Sequence, residues 1–315
     1  MTPRRVSVVM GVYNAEATVR RSVDSVLAQK DIDLELVVVD DGSTDATSRI
    51  LDECAAADSR VRIIRQPNRG LTRALIAGCD AATGEFIARQ DAGDESLPGR
   101  FSAQAEALAA NSSLVFVSCW SEYRGPGGEY LYTLTGPPEQ DQPSVILRDE
   151  IPRGVAGGPT HHASVMFRAD AYRGAGGYRS EFYFAQDWDL WFRLAALGSF
   201  RILLHVYYLV AMEAHGISGL NRSRQMRLFD LARQSSRLRR AGEGDAPILA
   251  QASQIRPISG QRASRYVEAA SFYFIGECLR RNRDRRCRKY LRQAIGRFPL
   301  HVKAWIRLLQ AAVLR

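Results

Sequence analysis

The sequence predicts an α/β protein: a mostly parallel sheet with helices on both faces, followed by an α-helical appendage. Three observations carry this. Short apolar runs rich in β-branched residues alternate with helical patterns through the first hundred residues. Each run closes in a turn rich in Gly, Asp or Asn. The charge then changes sign along the chain: from Leu220 onward there are 22 Lys and Arg against 6 Asp and Glu, a surplus of 16, while the rest has 21 against 28, a deficit of 7.

The elements follow in order. Val6 to Met10 and Leu34 to Val39 read as strands buried on both faces, with shorter ones at Val61 to Ile64 and Glu85 to Ala88. Helical patterns lie between them at Ala15 to Ala28, Ser43 to Ala57 and Leu71 to Ala82. The βαβαβαβ alternation implies a doubly wound parallel sheet. A helix is expected to start near Pro98, with Phe101 to Ala110 inside it, then a strand at Leu114 to Ser118 and an edge strand at Glu129 to Thr133. Ala163 to Phe167 reads as a further strand, and Gln186 to Leu197 as a helix whose apolar face holds Trp188, Leu190, Trp191 and Leu194. Asp189 and Arg193 form an i,i+4 pair on another face. Helices are expected at Arg222 to Arg240, Ala263 to Arg280, Arg283 to Arg297 and Leu300 to Leu314, with a linker over Gly242 to Gly260. The expected division is 1–220 for the α/β domain and 221–315 for the basic helical region.

Several classes are disfavoured. No GxGxxG follows the first strand and no GxxxxGK[ST] occurs, against a Rossmann dinucleotide enzyme and a P-loop NTPase. The five cysteines include no CxxC pair, against a structural zinc site or a disulfide framework, and they fit a reducing cytosol. The apolar run after Arg4 and Arg5 is too short for a secretory signal, and no run approaches the ~20 residues that span a bilayer. Arginine density without an aromatic RNP-like pattern argues against nucleic acid.

What remains is chemistry at the strand ends. The turn Asp91-Ala92-Gly93-Asp94 follows one strand and Asp40-Asp41-Gly42-Ser43 another, where open α/β sheets place ligands. Carboxylates there suit a hard cation and hence a diphosphate. Asp40 can also accept from the N–H of a nucleobase, and Tyr13, after Gly11 at the neighbouring strand end, can stack on it. Ordinary turn and capping roles account for the same residues, with Ser43 capping the next helix and Gly42 taking an unusual backbone angle.

Four blocks, VSVVMGVYNAEATVRRSVDSVLAQ, LELVVVDDGSTDAT, QPNRGLTRALIAG and GEFIARQDAGDESLPGRF, resemble the family 2 glycosyltransferases of GT-A fold over residues 4–220. The resemblance implies a nucleotide-sugar donor, a UDP-sugar by the family's leaning, held by Gly11, Tyr13, Asp40, Asp41, Arg73 and Asp91. It implies a divalent cation, Mn2+ or Mg2+, at Asp91, Asp94 and His215. In the block GGPTHHASVMFRADAYRGAGGYRSEFYFAQDWDLWFRLAALG it implies Asp187 as catalytic base of an inverting transfer, with acceptor contacts at His162, Gln186 and Trp188. The chain departs from the family at three positions: Gly93 replaces the second carboxylate of the DxD pattern, Gln186 replaces a Glu, and Glu213 replaces an Arg before His215.

The expected function is therefore an inverting glycosyltransferase acting on a glycan or lipid-linked acceptor. The three departures motivate an alternative: a weak or inactive glycosyltransferase-like protein that binds nucleotide or glycan as a scaffold. The basic C-terminal helices are expected to lie on an anionic membrane or, equally, to pack as a small bundle. The expected location is cytoplasmic, or peripheral at the inner face of the plasma membrane.

Overall fold

The computed structural model describes residues 5–136, 158–212, 221–258 and 264–312. The chain divides into two compact units. The first comprises Met1–Ser121, Leu134–Leu209 and Met226–Arg256, and the second Glu122–Thr133, Val210–Gln225 and Pro257–Arg315.

The expected parallel strands are present as β1 (Arg5–Val12), β2 (Asp33–Asp40), β3 (Val61–Arg65) and β4 (Phe86–Asp91). They pair in parallel in the order β3-β2-β1-β4. The sheet continues through β8 (Met166–Arg168), β6 (Leu114–Arg124), β9 (Ser199–Ala211) and β5 (Glu95–Ser96), with β8 antiparallel to both β4 and β6. The ninth strand, β7 (Tyr130–Leu134), pairs with β6 off this path.

Side-chain alternation along β1 explains why helices cover both faces. Val8 and Met10 enter one core with Val19, Val23 and Val26 of α1 (Val19–Leu27), Leu51 of α2 (Thr47–Ala57) and Phe101 of α4 (Arg100–Ala110). Val9 enters the other, with Leu75 and Cys79 of α3 (Leu71–Ala81) and Leu190 and Leu194 of α6 (Gln186–Leu194). Helix α3 lies close on β1 because Gly78 faces it: a Cβ there would sit 2.4 Å from Val9 Cγ1.

The structure corrects several details. Pro98 precedes α4, which is entered through Gly99 in the left-handed region, φ +82°. Ser43 does not cap α2, which starts four residues later; its hydroxyl accepts the Asn14 N–H at 3.0 Å instead. The expected strand at Ala163 to Phe167 begins only at Met166, because His162–Ser164 form a 3-10 turn. The expected linker contains a helix, α8 (Ala246–Ser253), which buries Ile248 and Ala252 one turn apart. It follows α7 (Arg222–Arg240).

The Asp189–Arg193 pair is not on the surface. Asp189 is fully buried and takes two guanidinium groups, Arg193 Nη2 at 2.6 Å and Arg179 Nε at 3.0 Å. Arg193 also donates to the Ala175 carbonyl at the end of α5 (Ala169–Gly174), and Arg179 to Asp245 at the N-terminus of α8. One carboxylate thus fixes α6 against two neighbours.

In the second unit, α9 (Arg265–Arg281), α10 (Cys287–Arg297) and α11 (Val302–Ala312) share a core of Phe272, Ile275, Leu279, Tyr290, Leu291 and Ala304, joined by Leu131 of β7. Tyr290 donates to Glu129 at 2.9 Å, and Asn282 to the Leu131 carbonyl at 2.7 Å. Among the described residues no helix is long and apolar enough to cross a membrane.

Removing one partner from a buried ion cluster leaves charge without compensation. Asp189→Ala is expected to cost about 3–5 kcal/mol of unfolding free energy, read as a lower urea midpoint. Wild-type stability in that variant would show that the Arg179 and Arg193 contacts are incidental.

Candidate active site

Sheet register sets the site. Val12 pairs with Asp40 and Gly11 with Asp91, so the ends of β1, β2 and β4 lie level at the carboxyl edge of the parallel strands. Gly11 is a glycine for packing: a Cβ would meet Leu71 Cδ1 at 2.9 Å.

The first two loops are laced together. Asn14 Oδ1 accepts from Thr44 N at 2.8 Å, Thr47 Oγ1 from Ala15 N at 2.8 Å, and Glu16 Oε2 from Ala46 N at 2.8 Å. Asp40 is buried, with one carboxylate oxygen taking the Ser43 N–H at 3.0 Å and the other the Ser48 hydroxyl. Asp41 is equally buried and binds the next loop, accepting from Gln66 Nε2 at 2.6 Å, Arg69 N at 2.9 Å and Gly70 N at 2.8 Å. Both carboxylates therefore shape the loops around the strand ends. Gly42, at φ +75°, fits only glycine, since a Cβ would lie 2.7 Å from Asn68 N. Tyr13 stands beside these loops half exposed, and Arg73 in the first turn of α3 is exposed.

The acidic turn after β4 is built differently. Asp91 takes Arg89 Nε at 2.8 Å on one oxygen, and Arg89 Nη2 at 3.2 Å and His162 Nε2 at 2.8 Å on the other. Burial alone would raise the Asp91 pKa, but Arg89 and then His162 outweigh it and hold the carboxyl well below its usual range. An ionised carboxylate only accepts, so His162 Nε2 carries the proton in this bond. Its other nitrogen, Nδ1, lies 3.9 Å from Asp187 Oδ2. His162 thus stands between the acidic turn and the expected base, although 71 residues separate it from Asp91.

Asp187 sits in the first turn of α6, where the helix dipole favours its charge, and its Oδ1 accepts the Trp188 N–H at 2.9 Å. Gln186 is buried. Trp188 packs its ring on Trp191 and Phe229, each with centroids 5.0 Å away. Among the described residues no hydrogen bond or ion pair joins Arg73 or Tyr13 to the Asp91–His162–Asp187 group.

Two residues that sequence reasoning missed, Arg89 and Arg100, hold this arrangement together with His161, which the sequence offers only as the neighbour of His162 ahead of a strand. Arg89 is buried against Asp91, and its Nη1 has no hydrogen-bond partner among the described residues. Arg100, fully buried, donates to the Arg89 carbonyl at 2.9 Å and the Ala163 carbonyl at 2.7 Å, tying the end of β4 to the turn that carries His162. His161 packs its ring against His162, tilted, with centroids 3.9 Å apart, and stacks on Tyr208 at 5.5 Å, and Tyr208 in turn accepts the Asp91 N–H at 3.1 Å. The doubled histidine was the one available signal.

The expected cation set fits in part. Asp91 and Asp94 offer hard oxygens, but Asp91 already faces a buried guanidinium, and His215 lies outside the described residues. Among the described residues no three His, Cys, Asp or Glu side chains converge on one point. They do not by themselves make a divalent-cation site. Gly93, at φ +101°, is pinned by Ser22 Oγ to its N–H and by Arg21 to its carbonyl, each at 2.9 Å.

His161 yields a test. Its burial, then the neighbouring His162, push its pKa well below the usual histidine range. The unfolded chain takes up a proton as pH falls through about 6.5, whereas the folded chain does not. Stability is expected to fall from pH 7 to pH 5, with up to about 1.4 kcal/mol per pH unit from this residue, and His161→Gln should flatten that slope. Urea midpoints at several pH values measure both; parallel slopes would mean His161 protonates freely in the fold.

Comparison with known proteins identifies the architecture. The family model described as glycosyl transferase family 2 matches residues 7–173. EpsE of Bacillus subtilis (strain 168), described as a glycosyltransferase, is 35% identical over 197 residues, covering 60% of this chain and 66% of that protein. A chondroitin synthase of Pasteurella multocida (strain Pm70) is 27% identical over 203 residues, 64% of this chain but 20% of the synthase. The chain thus spans about two thirds of the first relative and a fifth of the second. The crystal structure of S. aureus TarS 1-349 superposes with TM-score 0.57 at 16% identity over 98% of this chain and 88% of that one. Its complex with UDP gives 0.55 at 17% identity, with the same coverage of both chains. The fold is GT-A.

Proposed function

Because the chain belongs to glycosyl transferase family 2, we propose that it moves a sugar from a nucleotide-sugar, a UDP-sugar by preference, to a hydroxyl of a glycan or lipid-linked acceptor in polysaccharide assembly. The observation that carries this is the line Asp91–His162–Asp187 at the carboxyl edge of the sheet. The UDP in the TarS complex supports the choice of nucleotide.

The reaction is a single displacement with inversion. Asp187 takes the proton of the acceptor hydroxyl as its oxygen bonds to the anomeric carbon, and the bond from that carbon to the diphosphate oxygen breaks, its electron pair leaving with the nucleoside diphosphate. Asp91 receives the sugar end of the donor, held ionised and oriented by Arg89. His162 orients Asp91: its Nε2–H is committed to that carboxylate, while its Nδ1 lies 3.9 Å from Asp187 Oδ2, beyond hydrogen-bond reach, so that an acceptor hydroxyl is seated beside the two rather than between them. Tyr13 stacks on the base, with the Asp40 and Asp41 loops forming the floor beneath it.

Asp187→Asn is expected to lower kcat about 10²–10⁴-fold with UDP affinity unchanged by calorimetry. An undiminished transfer rate would remove Asp187 as the base, and failure to bind UDP, GDP or dTDP, with Mn2+ or with EDTA, would favour the scaffold reading. His162→Ala should lower kcat by about a hundredfold while the donor KM moves little, because it positions rather than binds. A change confined to KM would make it a substrate contact instead.

A further inference from the structure

Helix α11 buries the wrong amount of itself for a helix packed in a bundle. Ala304, Leu308 and Ala311 fall on the packed side, one helical turn apart, with the two alanines fully buried. On the opposite side Val302, Trp305, Ile306 and Leu309 follow the i, i+3, i+4, i+7 spacing and are 66%, 48%, 46% and 70% exposed. Leu300, just before the helix, is 78% exposed. Lys303, Arg307 and Gln310 lie along one flank of this stripe. An apolar ridge of this length in water marks a contact surface rather than a tolerated exposure.

The surrounding charge states what kind of surface it meets. Residues 257–315 carry 14 Lys and Arg against 3 Asp and Glu. The structure sharpens that count, because all three carboxylates are held within the unit. Glu277 binds Arg280 at 2.7 Å, Arg281 at 3.0 Å and Arg307 at 3.3 Å, and these cations, the first above all, hold its pKa at about 2. Asp284 binds Arg286, and Glu268 binds Arg297. Every exposed charged side chain in residues 264–312 is therefore a Lys or Arg. Two copies meeting through this ridge would bring like charges together, whereas an anionic sheet of headgroups would be attracted by all of them.

We propose that the outward stripe of α11 docks on an anionic phospholipid surface, with Val302, Trp305, Ile306 and Leu309 at the depth of the headgroups and the Lys and Arg side chains around them against lipid phosphates. Trp305 suits this level: its indole is apolar while its N–H already donates to the Pro299 carbonyl at 2.9 Å. The inference stands apart from the transfer reaction, since it concerns the second unit alone.

The test is co-sedimentation of the full chain with vesicles of phosphatidylcholine alone and of phosphatidylcholine mixed with phosphatidylserine, at low and high salt. Binding to the mixed vesicles is expected, with loss in high salt and little binding to phosphatidylcholine alone. Ile306→Glu and Leu309→Glu should each weaken it about tenfold or more, with melting temperature and UDP binding unchanged. As these side chains are exposed, the variants fold; Leu309→Ser serves as a milder control. Equal vesicle binding by the variants, or none by the wild type, overturns the proposal. So does a dimer in sedimentation velocity that Leu309→Glu dissociates, which would assign the ridge to a second copy.

Discussion

One guanidinium, that of Arg100, carries the geometry of the site. It is fully buried, and its acceptors are neutral oxygens: two carbonyls, the Ser96 hydroxyl and the side-chain amides of Gln90 and Gln104. The Tyr208 ring lies 4.6 Å from its carbon. Burial lowers its pKa, yet an arginine stays charged, so the fold bears a desolvation cost that hydrogen bonds only partly offset. What the fold gains is a fixed distance. The Arg89 carbonyl belongs to β4 and the Ala163 carbonyl to the turn after His162, and a single planar group holds both. The 2.8 Å approach of His162 to Asp91 follows from that clamp.

Charge within the site is arranged in alternation. Arg89 faces Asp91, Asp91 faces the protonated nitrogen of His162, and the other face of that ring looks toward Asp187. His161, packed beside it, is kept neutral by burial, so the two adjacent histidines take different tasks. Helix α6 makes the same division between two aspartates. Asp189 points inward and is saturated by Arg179 and Arg193. Asp187, two residues earlier and so on a different face, accepts the Trp188 N–H on one oxygen and lies 3.9 Å from the His162 nitrogen with the other. Among the described residues, Asp187 thus keeps an oxygen without a hydrogen bond, whereas Asp189 does not.

The strands were legible because β-branched runs bounded by Gly and Asp turns leave few alternatives, and β1 to β4 lie within two or three residues of the expected positions. Asp40 and Asp41 were legible as strand-end carboxylates, but not the work their oxygens do in holding the loops, since three of their five partners are backbone N–H groups that no residue pattern encodes and the others are the side chains of Ser48 and Gln66. The short β5 and the 13-residue β9 went unassigned, the first for its length and the second because His205, Tyr207 and Tyr208 interrupt its apolar character. Arg89 and Arg100 were illegible for a deeper reason. An arginine is expected at the surface, and burial becomes possible only when distant segments supply its acceptors; Ala163 is 63 residues from Arg100.

The same limit governs the basic tail. Sequence counts show an excess of positive charge but not which charges are neutralised internally. Across residues 264–312, Glu268, Glu277 and Asp284 are all ion-paired and none is exposed, so this surface is more uniformly cationic than the composition suggests. Those pairs also brace the bundle, since Glu277 on α9 reaches Arg307 on α11. The pairing that fixes α11 in place thus leaves its outer stripe apolar and the charge around it of one sign. Self-association would have to overcome that repulsion, whereas attraction to an anionic surface acts before any apolar side chain is buried and grows as lysines and arginines accumulate near it.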